Sequence, residues 1–174
     1  MNTAIEIIPC GPAAAGEISE VAIRSYKDFY LYLWNDDGSW YVNRCFSPSI
    51  IEEELKDPNA TFFLLRKNFE RVGFLKLNFN RELKGFEELN CLELERIYLT
   101  QAASGKGYGR EAMEFCFEFA RKKWMQIIWL KAMDSSPAVD FYRKMGFEQC
   151  GSFRLDFELM KPSLRGMVIM KKAL

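Results

Sequence analysis

Apolar and polar positions change period several times along this chain, and each change marks an element. "IEIIPC" (5–10) reads as a short strand. In "GPAAAGEISEVAIRSYKDFYLYLW" (11–34), Ile18, Val21, Ala22 and Ser25 recur at helical spacing and predict a helical stretch. "NDDGS" breaks that pattern. "SPSIIEEELKDP" then predicts a short helix, with Ser47 as its cap, Pro48 at its first position and Pro58 beyond its end. "TFFLLRKN" (61–68) and "RVGFLKLNFN" (71–80) are strand-like runs across a tight polar turn. After the loop "RELKGFEE", "NCLELERIYL" (90–99) makes a third strand of the same meander.

The second half alternates differently. A glycine-rich turn leads into a helix over 107–124, and "IIWLKAM" (127–133) is an unbroken apolar run of the kind buried on both faces of a sheet. "SSPAVDFYRKMGF" carries helix punctuation at both ends: Ser136 as cap, Pro137 just inside, Gly146 as the stop. The tail predicts two strands around a Lys161-Pro162-Ser163 turn. The order β-α-α-β-β-β-α-β-α-β-β implies an α/β fold, one mixed sheet with helices on both faces, in a single domain over residues 1–174. Strands 90–99 and 127–133 are expected parallel across the 107–124 helix, the usual strand–helix–strand connection.

Composition narrows the function. The 174 residues suffice for one domain that buries about 70% of its unfolded surface. The 24 basic and 24 acidic side chains cancel, so no global footprint for nucleic acid exists. No apolar run approaches the roughly 20 residues that span a bilayer, and the first residues lack the basic segment of a signal peptide. Five cysteines without CxxC spacing fit a reducing, cytoplasmic setting and read as small core residues. Histidine is absent. Ser-His-Asp and Cys-His chemistry is therefore excluded, no metal site is expected, and proton transfer falls to Asp, Glu, Tyr, Lys, Cys or water.

The turn "SGKGYGR" places Gly105, Gly107 and Gly109 between a strand and a helix. Free amides at a helix N-terminus hold anions, with Lys106 and Arg110 adding charge at the rim; a turn that merely caps the helix is the plainer alternative. A Walker loop needs Ser or Thr after Gly-Lys, and here Gly107 follows Lys106. A dinucleotide fingerprint has different spacing and sits in a first βαβ unit. In the preceding strand, Leu92 and Leu94 hold one parity whereas Ile97 and Leu99 hold the other. Either a β-bulge intervenes or both faces are buried.

Taken together, "LERIYL", "GKGYGREAM", "IIWLKAM", "AVDFYRKMGF" and "VIMKKAL" resemble the GCN5-related N-acetyltransferase (GNAT) superfamily. "LERIYL" and "FYRKMGF" look most like the bacterial spermidine/spermine acetyltransferases. The resemblance covers residues 90–174 by motif and 1–89 by element order. It implies a GNAT fold splayed between strands 90–99 and 127–133, with acetyl-CoA as co-substrate. It also implies direct transfer to a primary amine, a polyamine or other small amine, and allows a homodimer. The family's loop pattern falls on Ser104, Gly107 and Gly109, with Gly105, Lys106, Tyr108 and Arg110 completing a pyrophosphate cradle. Ser104 stands where the family has Gln or Arg. Ile97, Tyr98 and Leu99 match the segment that pairs with pantetheine, and Ser135 stands where an Asn commonly contacts that arm.

Tyr142 matches the family tyrosine that protonates the departing thiolate. It also belongs to a helical stripe with Ala138, Phe141 and Met145, so a plain core role is the alternative. For the amine's proton the candidates are Glu93, Glu95 or water, with solvated charges pairing Arg96 as the bland reading. Glu82, Glu87 and Glu88 would add an acidic rim that attracts amines. Phe29, Tyr30, Tyr32, Trp34 and Trp40, near Asp36 and Asp37, line an acceptor pocket or belong to the core. The readings from other classes are a non-catalytic acyl-CoA sensor and a protein N-terminal or lysine acetyltransferase.

Overall fold

In the computed structural model, which describes residues 4–174, seven strands and five α-helices are seen among the described residues. The strands are β1 (Glu6–Cys10), β2 (Ala60–Lys67), β3 (Glu70–Asn78), β4 (Cys91–Leu99), β5 (Ile127–Met133), β6 (Glu148–Arg154) and β7 (Gly166–Ala173). The helices are α1 (Ala15–Phe29), α2 (Ser39–Phe46), α3 (Pro48–Leu55), α4 (Tyr108–Lys122) and α5 (Ala138–Lys144). One sheet carries all the strands in the order β1-β2-β3-β4-β5-β7-β6. Every neighbouring pair is antiparallel except β4–β5, which is parallel.

The apolar runs explain the layering. Consecutive residues 62–65 all lose water because alternate side chains serve opposite faces. Phe62, Leu64 and Phe74 pack under α1–α3, while Phe63, Leu65, Leu75 and Leu77 pack with α4 and α5. The β2–β3 turn has Asn68 and Phe69 at φ 48° and 68°, the left-handed pair that suits the twist of a two-residue hairpin.

Sequence reasoning anticipated two helices before β2, and three are present. "NDDGS", read as a break, is a helix start. Asp36 accepts hydrogen bonds from the amides of Gly38 (3.1 Å) and Trp40 (2.8 Å) and so launches α2. The stretch 11–34 is also shorter as an α-helix than its periodicity suggests. Its ends are 3₁₀ turns at Pro12–Ala14 and Leu31–Leu33. Ser47 precedes α3 but its side chain caps nothing.

β4 settles the parity question in favour of a bulge. Leu94 lies opposite Leu77 and Arg96 opposite Lys76, which leaves Glu95 as the extra residue. Leu92, Leu94, Ile97 and Leu99 therefore share the α4–α5 face despite the shift in spacing. Beside this bulge the sheet opens. β4 and β5 pair only through Cys91–Ile127, Leu92–Ile128 and Glu93–Trp129, whereas β5 stays paired with β7 along its whole length. A bulge bends its own strand and adds twist, so the second half of β4 leaves β5 and a wedge forms between them.

The tail does more than turn at Lys161-Pro162-Ser163. Residues 155–165 fold back onto the link between α1 and α2: Met160 bridges Trp34, the Asn35 amide donates to the Leu159 carbonyl (2.9 Å), and Lys161 Nζ donates to the Tyr32 carbonyl (2.8 Å). The C-terminal segment thereby becomes a wall over the α1–α3 face.

Candidate active site

The turn after β4 is held at its start and bare afterwards. The Thr100 amide donates to the Val72 carbonyl (2.9 Å), and the Gln101 amide to Asp28 Oδ2 (2.8 Å). Beyond the 3₁₀ turn Gln101–Ala103, Gly105 and Gly107 take φ of 73° and 84°, a left-handed geometry that costs any other L-residue about 1–2 kcal/mol. Among the described residues, the amides of Gly105 through Gly109 donate no hydrogen bond to the protein. A Cβ on Gly105 or Gly107 would meet open space. Unsatisfied amides at the positive end of α4, facing a clearing, have the geometry that favours an anion.

Two cavities meet inside the wedge. An open cleft of ≈570 Å³ is lined by the glycine turn, by Ile97, Tyr98 and Leu99, and by Phe141 and Tyr142 of α5. A cavity of ≈250 Å³ lies among Tyr26, Tyr30, Trp34, Tyr41 and Phe157, with Glu95 and Arg96 in its wall. Tyr30, Ile97, Tyr98, Ser136, Ala138 and Tyr142 border both. Tyr142 is only 8% exposed, yet among the described residues its hydroxyl has no hydrogen-bond partner, and it is not sealed off from the cavities. Burial pushes its phenol well above the ordinary value, with Tyr30 and Cys116 adding to the effect. It is a protonated donor throughout the neutral range.

The bulge puts Glu95 into a network of charges. Lys76 Nζ lies 2.8 Å from Glu95 and 3.0 Å from Glu54, and Arg96 lies 2.7 Å from Glu54 and 3.2 Å from Glu95. Asn78 Nδ2 donates to both Glu93 (2.9 Å) and Glu95. Burial opposes ionisation of Glu95, but Arg96, Lys76 and the Asn78 hydrogen bond outweigh it and hold the carboxyl below its usual range. Glu93 precedes the bulge, so its side chain stays over the paired half of the strand, against Asn78 and Lys131 (3.2 Å).

The residues singled out from sequence divide accordingly. Ile97, Tyr98, Leu99, Ser104, Gly105, Gly107, Gly109, Arg110 and Tyr142 all border the cleft. Lys106 and Tyr108 do not: they line a separate polar hollow with Arg24, Asp28 and Arg71. Ser135 is exposed and outside both cavities. The turn after β5 brings in Ser136 instead, its amide bonded to Met133 (3.0 Å) and its hydroxyl accepting from Ala138 (3.2 Å). Glu95 reaches the aromatic cavity and Glu93 borders neither. Glu82, Glu87 and Glu88 lie on an exposed loop that borders neither of these cavities, and Asp36 is spent capping α2.

Several bordering residues were not anticipated. Tyr26 and Tyr41 sit in no motif, and Phe157 and Met160 lie in the stretch read only as tail strands around a turn. The Lys76–Asn78 pair did leave a signal, polar residues at alternate positions of the otherwise apolar run "FLKLN".

With fold and site in view, the molecule's class follows. The molecule is an α/β protein with a mixed sheet splayed between β4 and β5 and a turn of bare amides at the wedge. The sequence profile of the acetyltransferase (GNAT) family matches residues 20–147, and the chain belongs to that family. An uncharacterized N-acetyltransferase of Lactobacillus delbrueckii subsp. lactis is 27% identical over 112 residues, 64% of this chain and 65% of that protein. Streptothricin acetyltransferase of Streptomyces lavendulae is 32% identical over 85 residues, 45% of each chain. The matches thus span less than two thirds of either relative. The fold is shared with the PaiA N-acetyltransferase of Thermoplasma acidophilum, crystallised in complex with coenzyme A, at 20% identity and a TM-score of 0.76 over 98% of this chain and 99% of that one.

Proposed function

We propose that this chain is an N-acetyltransferase that moves acetyl from acetyl-CoA to a small primary amine by direct attack in a ternary complex. The observation that carries this reading is Tyr142, a buried phenol with an unpartnered hydroxyl, standing where a cleft headed by bare amides meets a second cavity. The chain's residues suit the co-substrate. Amides 105–109 offer donors to a pyrophosphate, and the open space at Gly105 and Gly107 admits it. The half of β4 that has left β5 offers backbone at Ile97–Leu99 to the amide groups of a pantetheine arm, as a strand pairs with a strand.

At the junction the amine nitrogen attacks the thioester carbonyl, so that an N–C bond forms and the C–S bond breaks. Tyr142 gives its proton to the departing sulfur, and Glu95, directly or through water, takes the proton of the amine. Glu95 suits this role better than Glu93 because it borders the aromatic cavity. Ser136 serves the pantetheine contact that Ser135 was expected to make, and Ser104 contributes backbone alone. The acetyltransferase that acts on streptothricin, over the part it shares, supports a small amine, and a polyamine is the form that the "LERIYL" resemblance favours. A protein N-terminus or lysine side chain would need a broad groove where the 155–165 segment forms a wall. Free thiols at all five cysteines fit a cytoplasmic setting, and a homodimer rests on the family resemblance alone.

The test is thiol release from acetyl-CoA across a panel of amines, antibiotics and peptides, with mass detection of the acetylated product. Stoichiometric release with at least one small amine is expected. Binding of acetyl-CoA without release on any acceptor would sink the proposal and leave the sensor reading.

A further inference from the structure

The proposed acetyl transfer leaves the acceptor open, and the cavity beside Tyr142 is specific enough to narrow it. Tyr26, Tyr30, Trp34, Tyr41, Tyr98 and Phe157 supply its ring faces. Tyr26 and Tyr41 stack at 5.0 Å between centroids, as do Trp34 and Tyr41, so the wall is a continuous aromatic surface. Met133, Met160 and Met167 add adaptable apolar wall. Among the described residues the hydroxyls of Tyr30 and Tyr98, like that of Tyr142, have no hydrogen-bond partner, and they are not sealed from solvent space.

The charges matter as much as the rings. Among the described residues Glu95 is the one carboxylate in the wall, which also carries its ion-pair partner Arg96 and Lys131, the partner of Glu93. In the surrounding network, Glu54, Glu93 and Glu95 are matched by Lys76, Arg96 and Lys131, so no negative charge is left over. An amine must lose its proton before it attacks. A monoamine is then neutral and sits in a neutral, aromatic site at little cost. A polyamine in the same position keeps further ammonium groups that the network cannot match, and burying an unmatched charge is expensive.

Resting on the acetyltransferase reading, we infer that the acceptor is a compact monoamine with an aromatic or apolar body. Its ammonium enters over the tyrosine faces, which attract cations, and Glu95 is the group that meets it. The body of the molecule fills the ≈250 Å³ among the rings.

The experiment compares 2-phenylethylamine, tyramine and n-butylamine with spermidine as acceptors for the intact protein, wild type and Phe157→Ala. Phe157 lies on the segment that walls the cavity, half-buried and in ring contact with Trp40 (5.4 Å), so its loss opens the cavity without removing a core residue. The aromatic monoamine should exceed spermidine in kcat/KM by about tenfold or more, the discrimination one or two apolar contacts supply. Phe157→Ala should raise KM for the aromatic amine about tenfold and leave KM for acetyl-CoA unchanged. Spermidine preferred by the wild type, or an aromatic amine indifferent to Phe157→Ala, overturns the inference and leaves the acetyltransferase reading standing. Acetyl-CoA bound but no thiol released with any of the four amines or with peptides overturns both.

Discussion

The glycine turn and the aromatic cavity sit on either side of Tyr142 and are built from different material. The turn is a run of contiguous residues whose working groups are backbone amides, and its geometry is set by left-handed glycines at 105 and 107. The cavity is made of side chains from α1, the α1–α2 link, α2, β4, β5, α5 and the 155–165 segment. The first needs only local conformation; the second exists only when distant segments are packed. A backbone site tolerates side-chain variety, as Ser104 illustrates, while a side-chain cavity is free to change its guest without touching the fold. That division suits a protein in which the shared co-substrate meets the turn and the variable acceptor meets the cavity.

The sharpest way to break the comparison is at the border itself. If Tyr142 serves both sides, Tyr142→Phe should lower kcat by about 10²–10⁴-fold, the usual worth of a positioned acid, with acetyl-CoA affinity within about twofold of wild type. Steady-state rates combined with equilibrium binding of acetyl-CoA decide it. A rate close to wild type would return Tyr142 to the helical stripe of core residues. The raised pKa of the phenol adds that no loss of the acid is expected below its ordinary value of 10.0.

Next in size comes the charge on the cavity side. Glu95→Gln should cost about 10²-fold in kcat/KM, and Glu93→Gln, which borders neither cavity, no more than about threefold. Acid titration separates a wall charge from a structural one further. The folded state holds Glu95 below its ordinary 4.5, so the group adds stability above that value and loses it as pH falls through the lower folded value. Denaturant titrations between about pH 3 and 6 should show that acid-side decline reduced in Glu95→Gln. Equal effects of the two glutamine variants on rate would contradict the assignment of Glu95.

How much of this was legible in the chain follows the same division. Periodicity located all seven strands, and "IIWLKAM" matches β5 residue for residue. The splay was legible from family resemblance, and the bulge behind it from the parity change at Arg96, though only the register with β3 identified Glu95 as the extra residue. α2 was missed because Asp-Asp-Gly is both a turn signal and a helix start, and only the hydrogen bonds from Gly38 and Trp40 to Asp36 distinguish them. That Ser136 and not Ser135 borders the cleft is a matter of one residue in a tight turn, finer than any periodicity resolves. The aromatic cavity was the least legible part. Tyr26 or Phe157 in a sequence looks like core, and which face meets space depends on how the tail folds back onto Trp34.

The smallest expected effects test whether the turn works through its backbone at all. Gly107 has a φ of 84°, and a Cβ there would touch nothing, so Gly107→Ala perturbs conformation and not packing. Gly109 lies outside the left-handed region, and its Cβ would sit 3.6 Å from Leu99 and Phe141, an ordinary contact. If bare amides aimed by left-handed glycines hold the co-substrate, Gly107→Ala should raise KM for acetyl-CoA about tenfold, since about 1–2 kcal/mol of strain is relieved by turning the amides away. Saturating kcat should stay within about twofold, because the atoms around Tyr142 are untouched. Gly109→Ala should change KM by no more than about twofold, as an ordinary contact costs little. The reverse ranking, with Gly109→Ala the more damaging, would mean that clearance at the cleft wall governs binding. The contrast between a backbone-made site and a side-chain-made one would then fail on its simpler side.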